Sequence, residues 1–422
     1  MLKIKPEEMD SDENQVTGDV IGDTAYSERF VLKILLKLAN LDTLKDEVNE
    51  QAFEDDLCTL WDMTAERDVV LFLQRHDVLN LLSFAWPIVE SPRMIEVLVG
   101  IIANMCCQKE AVDEILTMVP FLKSLMECIK SDDSMILIQL MRLINSSLFL
   151  GDNDHIPIWM RLFIEIGYSN YLYYILRNSS NRDVLMNALE NFNTICAYCN
   201  IEEFRSDFFG HFVSVEALEC LIVAYIEVTE KHKEFCEREQ FERILLISIQ
   251  VTLNLVGFDK SVGIFSDNKR DALKMISLAF KYYENKLVNL KEIDMDLVDI
   301  VASTISVTNI LNINEISDLE DYFIQSFRMW KTLHYMLDAE EQASENDPED
   351  LVLLSNQLKT SLSTLMFVYM EKCKDDYLMK LLDEITDDFD EITNFVEDES
   401  LLNNVNERVT SFRTRLKEMV EC

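Results

Sequence analysis

"MIEVLVGIIANMCCQKEAV", residues 94–112, decides the fold class. Apolar side chains fill it almost without a break; only Glu96, Gly100 and Asn104 interrupt them before the two cysteines. Read as a helix, it has no polar face, so it must be covered on most sides. Cys106 and Cys107 do not make a metal pair, because helical neighbours point about 100° apart, and no His lies close by in sequence. Free Cys is among the most buried side chains. The stretch reads as a helix buried within a packed helical array, cysteines included.

Similar stretches recur at 135–149, 184–199, 245–256 and 298–311, with one-sided amphipathic helices between them. Their central asparagines align roughly: Asn104, Asn145, Asn254 and Asn309. Asn104 to Asn145 is 41 residues, the length of an armadillo or HEAT unit, and later intervals run nearer 50 to 60. With only 8 Gly and 6 Pro in 422 residues, too few turn formers remain for a sheet protein. The expected fold is all-α: a right-handed α-solenoid of degenerate armadillo/HEAT-like repeats.

Within that fold, 1–23 is expected to be an acidic disordered segment, 24–337 the repeat array and 338–347 an acidic linker. Residues 348–422 then form C-terminal helices that continue or cap the array. Ser91-Pro92 has the form of an N-cap followed by proline. Ser180 to Asp183 has the form of a capping box. Asp62 or Thr64 is placed to cap a helix beginning near Glu66. Near the end, Leu382, Ile385, Phe389, Ile392 and Val396 share one helical face. Val405, Val409, Phe412 and Leu416 share another, which predicts an antiparallel pair.

The charge balance, 38 basic against 77 acidic residues and a net of −39, opposes nucleic acid, whose binding depends on phosphate neutralisation by Lys and Arg. No apolar run approaches the roughly 18 residues of a membrane span, and the opening "MLKIKPEEMDSDENQ" has no apolar h-region. The expectation is a chain of the nucleus and/or cytoplasm, not secreted, with reduced thiols. The acidic run from Asp383 to Glu399 reads as a solvated face, answered in part by Arg408, Arg413, Arg415 and Lys417; the alternative is a binding face for a basic ligand.

Catalytic and metal constellations are not found. Cys196 and Cys199 form a CxxC without a second pair and continue an apolar pattern, so they read as core. His232 and Cys236 stand four apart and make half a metal site at most. There is no phosphate-cradling glycine motif and no serine elbow. The expectation is no enzyme and no cofactor.

Three stretches, "GDVIGDTAYSERF" (18–30), "LWDMTAERDVVLFLQRHDVLNLL" (60–82) and "SPRMIEVLVGIIANMCC" (91–107), resemble the serum amyloid A-like family of armadillo-type proteins. That family carries a GDxIGxTxYS entry, a WDMxxxxDVxxFLQ segment and a PRxxEIxVGIxxNMxC helix. The resemblance covers about the first quarter of the chain. It implies an armadillo-type fold, a largely nuclear location and a role in promoting cell proliferation, and supplies no catalytic residues. The chain lacks a compact Lys/Arg cluster that would serve as an import signal.

Two functions follow as expectations. One is a non-catalytic scaffold whose groove, with Trp61, Asn104, Asn145 and Asn254 as candidate residues, takes a basic or amphipathic protein segment. The alternative is a nuclear transport adaptor reading basic segments through an acidic groove. Such adaptors carry Trp and Asn four apart on one helix; here Gly100 stands four before Asn104.

Overall fold

Within each unit, a helix packs on one further along the chain, with one or two helices between them. In the computed structural model, which describes residues 19–231, 237–312, 320–340 and 348–421, the described residues are helical with short connections and contain no strand. They form two units, Met1–Ile158 and Trp159–Cys422. In the first unit Gln51–Met63 packs on Pro92–Met105, which packs on Ser134–Leu150. In the second, the same succession runs through Arg182–Cys196, Arg238–Val256, Met295–Leu311, Pro348–Lys372 and Glu399–Glu421. A parallel row in the second unit joins Tyr168–Asn178, Val215–Ile226, Lys269–Asn285 and Glu320–Glu340. This is an all-α helical-repeat architecture of the solenoid type.

The five stretches that read as apolar all round lie in five of these stacked helices. Each packs on at least one other stacked helix of its own unit, which buries most of its apolar side chains. Starts at Gln51, Pro92 and Ser134 step by 41 and 42 residues. Arg182, Arg238, Met295, Pro348 and Glu399 step by 51 to 57. The longer second-unit repeats explain why the asparagine spacing drifts. Small hydroxyl side chains are buried along the stacked helices: Ser147, Ser248, Thr252, Thr304, Thr308, Ser355 and Ser363.

Tight elbows connect the helices behind the stack. Asp77 (φ 57°) separates Arg67–Arg75 from Val78–Ala85, and Gly167 (φ 70°) separates Ile156–Ile166 from Tyr168–Asn178. Both sit in the left-handed region, where glycine and short polar residues are the least strained.

Several local expectations change. The cap before Arg182–Cys196 is Asn181, whose side chain accepts from the Asp183 and Val184 amides, instead of a box begun by Ser180. Ser91 occupies its cap position without a side-chain bond, leaving Pro92 to set the first turn. Thr64 ends the Gln51–Met63 helix instead of starting the next: its hydroxyl donates to the Trp61 carbonyl at 2.5 Å. The stretch from Leu382 to Val396 is broken into Asp375–Glu384 and Phe389–Asn394, although Leu382, Ile385, Phe389, Ile392 and Val396 are all buried. Glu399–Glu421 packs on Pro348–Lys372, so the expected pair is formed with a different helix.

Of the acidic opening segment, residues 1–18 lie outside the described residues, and 19–23 are held on the fold. Ile21 is buried, and the Asp19 carboxylate accepts the Ser27 hydroxyl at 2.6 Å and the Arg29 amide at 2.8 Å. Most of the expected linker, 341–347, also lies outside the described residues; its flanking helices, Glu320–Glu340 and Pro348–Lys372, pack on each other.

Candidate functional site

The three stretches that carry the family resemblance meet in the first unit. Asp19, Ile21, Gly22, Thr24, Tyr26 and Ser27 form a closed turn: the Ile21 amide donates to the Tyr26 carbonyl at 2.9 Å, and the Thr24 hydroxyl donates back to the Ile21 carbonyl at 2.7 Å. Gly22 has φ +54°, and the Asp68 carboxyl occupies the space where a Cβ would stand. Asp68 accepts the Asp23 amide at 3.0 Å, which pins the first stretch to the second.

The second stretch is pinned to the third by Trp61. Its indole lies across Gly100, and a Cβ at Gly100 would fall inside the ring's van der Waals envelope. One turn on, the Asn104 Nδ2 donates to the Trp61 carbonyl at 3.3 Å and to the Thr64 Oγ1 at 3.1 Å. Asn104 Oδ1 accepts from Arg142 Nη2 at 3.1 Å, and Arg142 Nη1 donates to Gln139 Oε1 at 2.6 Å. One amide thus ties three successive stacked helices together.

The structure therefore brings Trp61 and Asn104 into contact. Asn145 is half-buried, three residues beyond Arg142, and Asn254 lies on Arg238–Val256 of the second unit. Asn104 has both donors and its carbonyl oxygen engaged within the fold, so it differs from an asparagine free to clamp a peptide backbone. Gly100, which stands where an adaptor would place tryptophan, is covered by a tryptophan from the preceding stacked helix.

Arg142, Gln139 and Arg93 escaped the sequence reading. Arg93 Nη1 pairs with Glu96 at 2.7 Å and its Nε reaches back to Glu54 on the preceding stacked helix at 3.7 Å. In the second unit Arg243 reaches back to Glu190 at 2.9 and 3.2 Å, and Arg408 donates to the Met370 and Glu371 carbonyls, each at 2.7 Å. At four steps of the stack an arginine from the later helix binds an acceptor on the earlier one. The available signal was an arginine inside an otherwise apolar helix, as in "SMILIQLMRLINSSLFL" (134–150).

Arg408 consequently caps Pro348–Lys372 instead of answering the 383–399 acids. Of those, Asp388 is paired with Lys331 of Glu320–Glu340 at 3.0 Å, and His334 Nε2 on the same helix lies 3.5 Å from Glu391. The second unit also buries a charged cluster. Lys286 contacts Glu242 at 2.8 Å and Asp294, while Tyr282 donates to Glu242 at 2.7 Å. Burial works to raise the Glu242 carboxyl, but hydrogen bonds from Lys286, Tyr282 and Arg238 outweigh it and hold the group below its ordinary range.

The cysteines divide. Cys106 is fully buried and burial pushes its thiol up to about 12; Cys196 and Cys199 are buried as expected. Cys107 corrects the core reading: it lies past the helix end at Met105 and is exposed, 3.7 Å from the Ser146 hydroxyl. His232 and Cys236 lie outside the described residues. No helix among the described residues is long and apolar enough to cross a membrane.

No family model matches the chain. It is similar to Protein SAAL1 of Mus musculus, 29% identical over 182 residues, which is 40% of this chain and 38% of that protein. The corresponding Danio rerio protein is 27% identical over 190 residues, 43% of this chain and 40% of that one. The Homo sapiens protein is 26% identical over 181 residues, 40% and 38%. The matches thus span about two fifths of those relatives. A solved structure of an engineered protein aligns with 91% of this chain at a TM-score of 0.39 and 10% identity.

Proposed function

We propose that the chain is a non-catalytic protein-interaction scaffold of the serum amyloid A-like kind, whose stacked helices present a surface to an amphipathic or basic protein segment. The observation that carries this is the use made of the signature residues. Gly22, Asp68, Trp61, Gly100 and Asn104 hold elements of the first unit together, and the hydrogen bonds of Asp68 and Asn104 run to backbone and side chains within that unit. Such residues build a rigid surface, and a repeat surface is a ready binding platform.

The resemblance further supports a nuclear location and a part in promoting cell proliferation. Entry to the nucleus then depends on a partner, since the sequence has no compact basic cluster. Proximity labelling in cells, followed by binding of purified full-length chain to the recovered protein at 0.1 M and 1 M salt, tests the proposal. Direct saturable binding that weakens with salt is expected from a net charge of −39. A hydrolase or transferase activity in the pure protein, or no direct partner, would overturn it.

A further inference from the structure

The first unit holds one arginine in an unusual electrostatic setting. Arg142 is exposed and has no carboxylate partner among the described residues; its guanidinium is fixed by two neutral amide oxygens, of Gln139 and Asn104. Gln139 is itself only 4% exposed, so the side chain that orients the guanidinium is anchored in the core. The other three reaching arginines each have a carboxylate within 4 Å: Glu96 for Arg93, Glu190 for Arg243 and Asp375 for Arg408. Arg142 alone of the four keeps its whole charge while being held rigid. A guanidinium fixed in this way retains N–H groups for a carboxylate and has paid its ordering entropy beforehand.

Its surroundings set the rest of the chemistry. Met135, Ile138, Arg142, Asn145 and Phe149 recur in steps of three and four, along one face of Ser134–Leu150. Met135 is 45% and Phe149 84% exposed, so large apolar side chains stand about two turns to either side of the charge. An apolar strip with a single rigid cation at its centre matches an amphipathic segment that carries one carboxylate between large apolar residues. The charge of −39 disfavours a segment that is acidic throughout, so the carboxylate is expected to be isolated.

Resting on the scaffold reading, we infer that Arg142 is the anchor of a docking face on Ser134–Leu150, and that its occupant is a protein segment with one Asp or Glu flanked by large apolar side chains. The electrostatic gain is local: a desolvated, bidentate guanidinium–carboxylate pair. Met135, Ile138 and Phe149 would cover the pair from water.

The test is selection of a phage-displayed library of random 16-residue peptides on the immobilised full-length chain. Enriched peptides are expected to share an Asp or Glu with large apolar residues three or four positions away. As synthetic peptides they should bind Arg142→Gln at least tenfold more weakly, with part of the loss recovered by Arg142→Lys. Phe149→Ser should also weaken them. Because Arg142→Gln also removes the bonds to Asn104 and Gln139, binding is measured well below the melting temperature of each variant, which separates lost binding from lost fold. Enriched peptides that lack an acid, or that bind Arg142→Gln as tightly as the parent, overturn the inference and leave the scaffold reading standing. If no peptide is enriched above a blank surface, both fall.

Discussion

Trp61 and Gly100 fit as ring and floor: the indole of one stacked helix lies on the bare backbone of the next. Any side chain at position 100 must displace the ring. Gly100→Ala should therefore lower stability by about 1–3 kcal/mol, the usual cost of overpacking, read by denaturant unfolding. In the Trp61→Ala background the same change should cost much less, because the obstacle is gone. Equal costs in the two backgrounds would place Gly100 outside this contact.

Asn104→Ala removes the amide that joins three stacked helices and should destabilise by about 1–3 kcal/mol, since the Trp61 carbonyl and Gln139-bound Arg142 lose partners at a half-buried position. Asn104→Asp keeps an acceptor for Arg142 and loses the donors to Trp61 and Thr64, so it should fall between parent and alanine variant. An alanine variant as stable as the parent would mean that the amide bridges nothing in solution.

How much of this was legible follows from where the information lies. The stacked helices showed themselves because burial on all sides leaves no polar face, as in residues 94–105. The cross-helix partners did not, since Asn104 and Arg142 are 38 residues apart and nothing in either neighbourhood names the other. Thr64 was misplaced for a local reason: a threonine between two helices suits the end of one and the start of the next equally in sequence. Cys107 differs from Cys106 by one residue, and it is the helix end at Met105 that turns one inward and the other out. The break between Glu384 and Phe389 was hidden because the buried residues keep a helical spacing across it.

That cysteine division is measurable. Brief treatment of the native chain with iodoacetamide at pH 8, followed by peptide mass mapping, should alkylate Cys107 while Cys106, Cys196 and Cys199 stay unmodified. The Cys106 thiol, at about 12, is protonated under those conditions as well as buried. Rapid alkylation of Cys106 would mean that the first unit opens there.

The buried cluster in the second unit sets a pH dependence. Glu242 lies below its ordinary 4.5, so its stabilisation is fully present above that pH and is lost as pH falls through the lowered value. Lys286 is raised above 10.5: burial opposes this, but its bonds to Asp294 and Glu242 prevail, so its contribution is lost only as pH rises beyond that. Glu242→Gln should cost about 3 kcal/mol at neutral pH, the scale for breaking a buried pair. It should also flatten the acid limb of the stability curve. A variant with the parent's acid limb would show that other carboxylates set it.

The claim that the stacked helices of the first unit are a binding face is tested most directly by photocrosslinking in cells. One chain carries benzoylphenylalanine in place of Phe149, on the proposed face; another carries it in place of Phe84, which is also exposed (62%) but lies on Val78–Ala85. The account predicts a discrete adduct from position 149, absent from position 84 and lost when Arg142→Gln is added. Adducts of equal yield from both positions, or an adduct at 149 indifferent to Arg142, would contradict it.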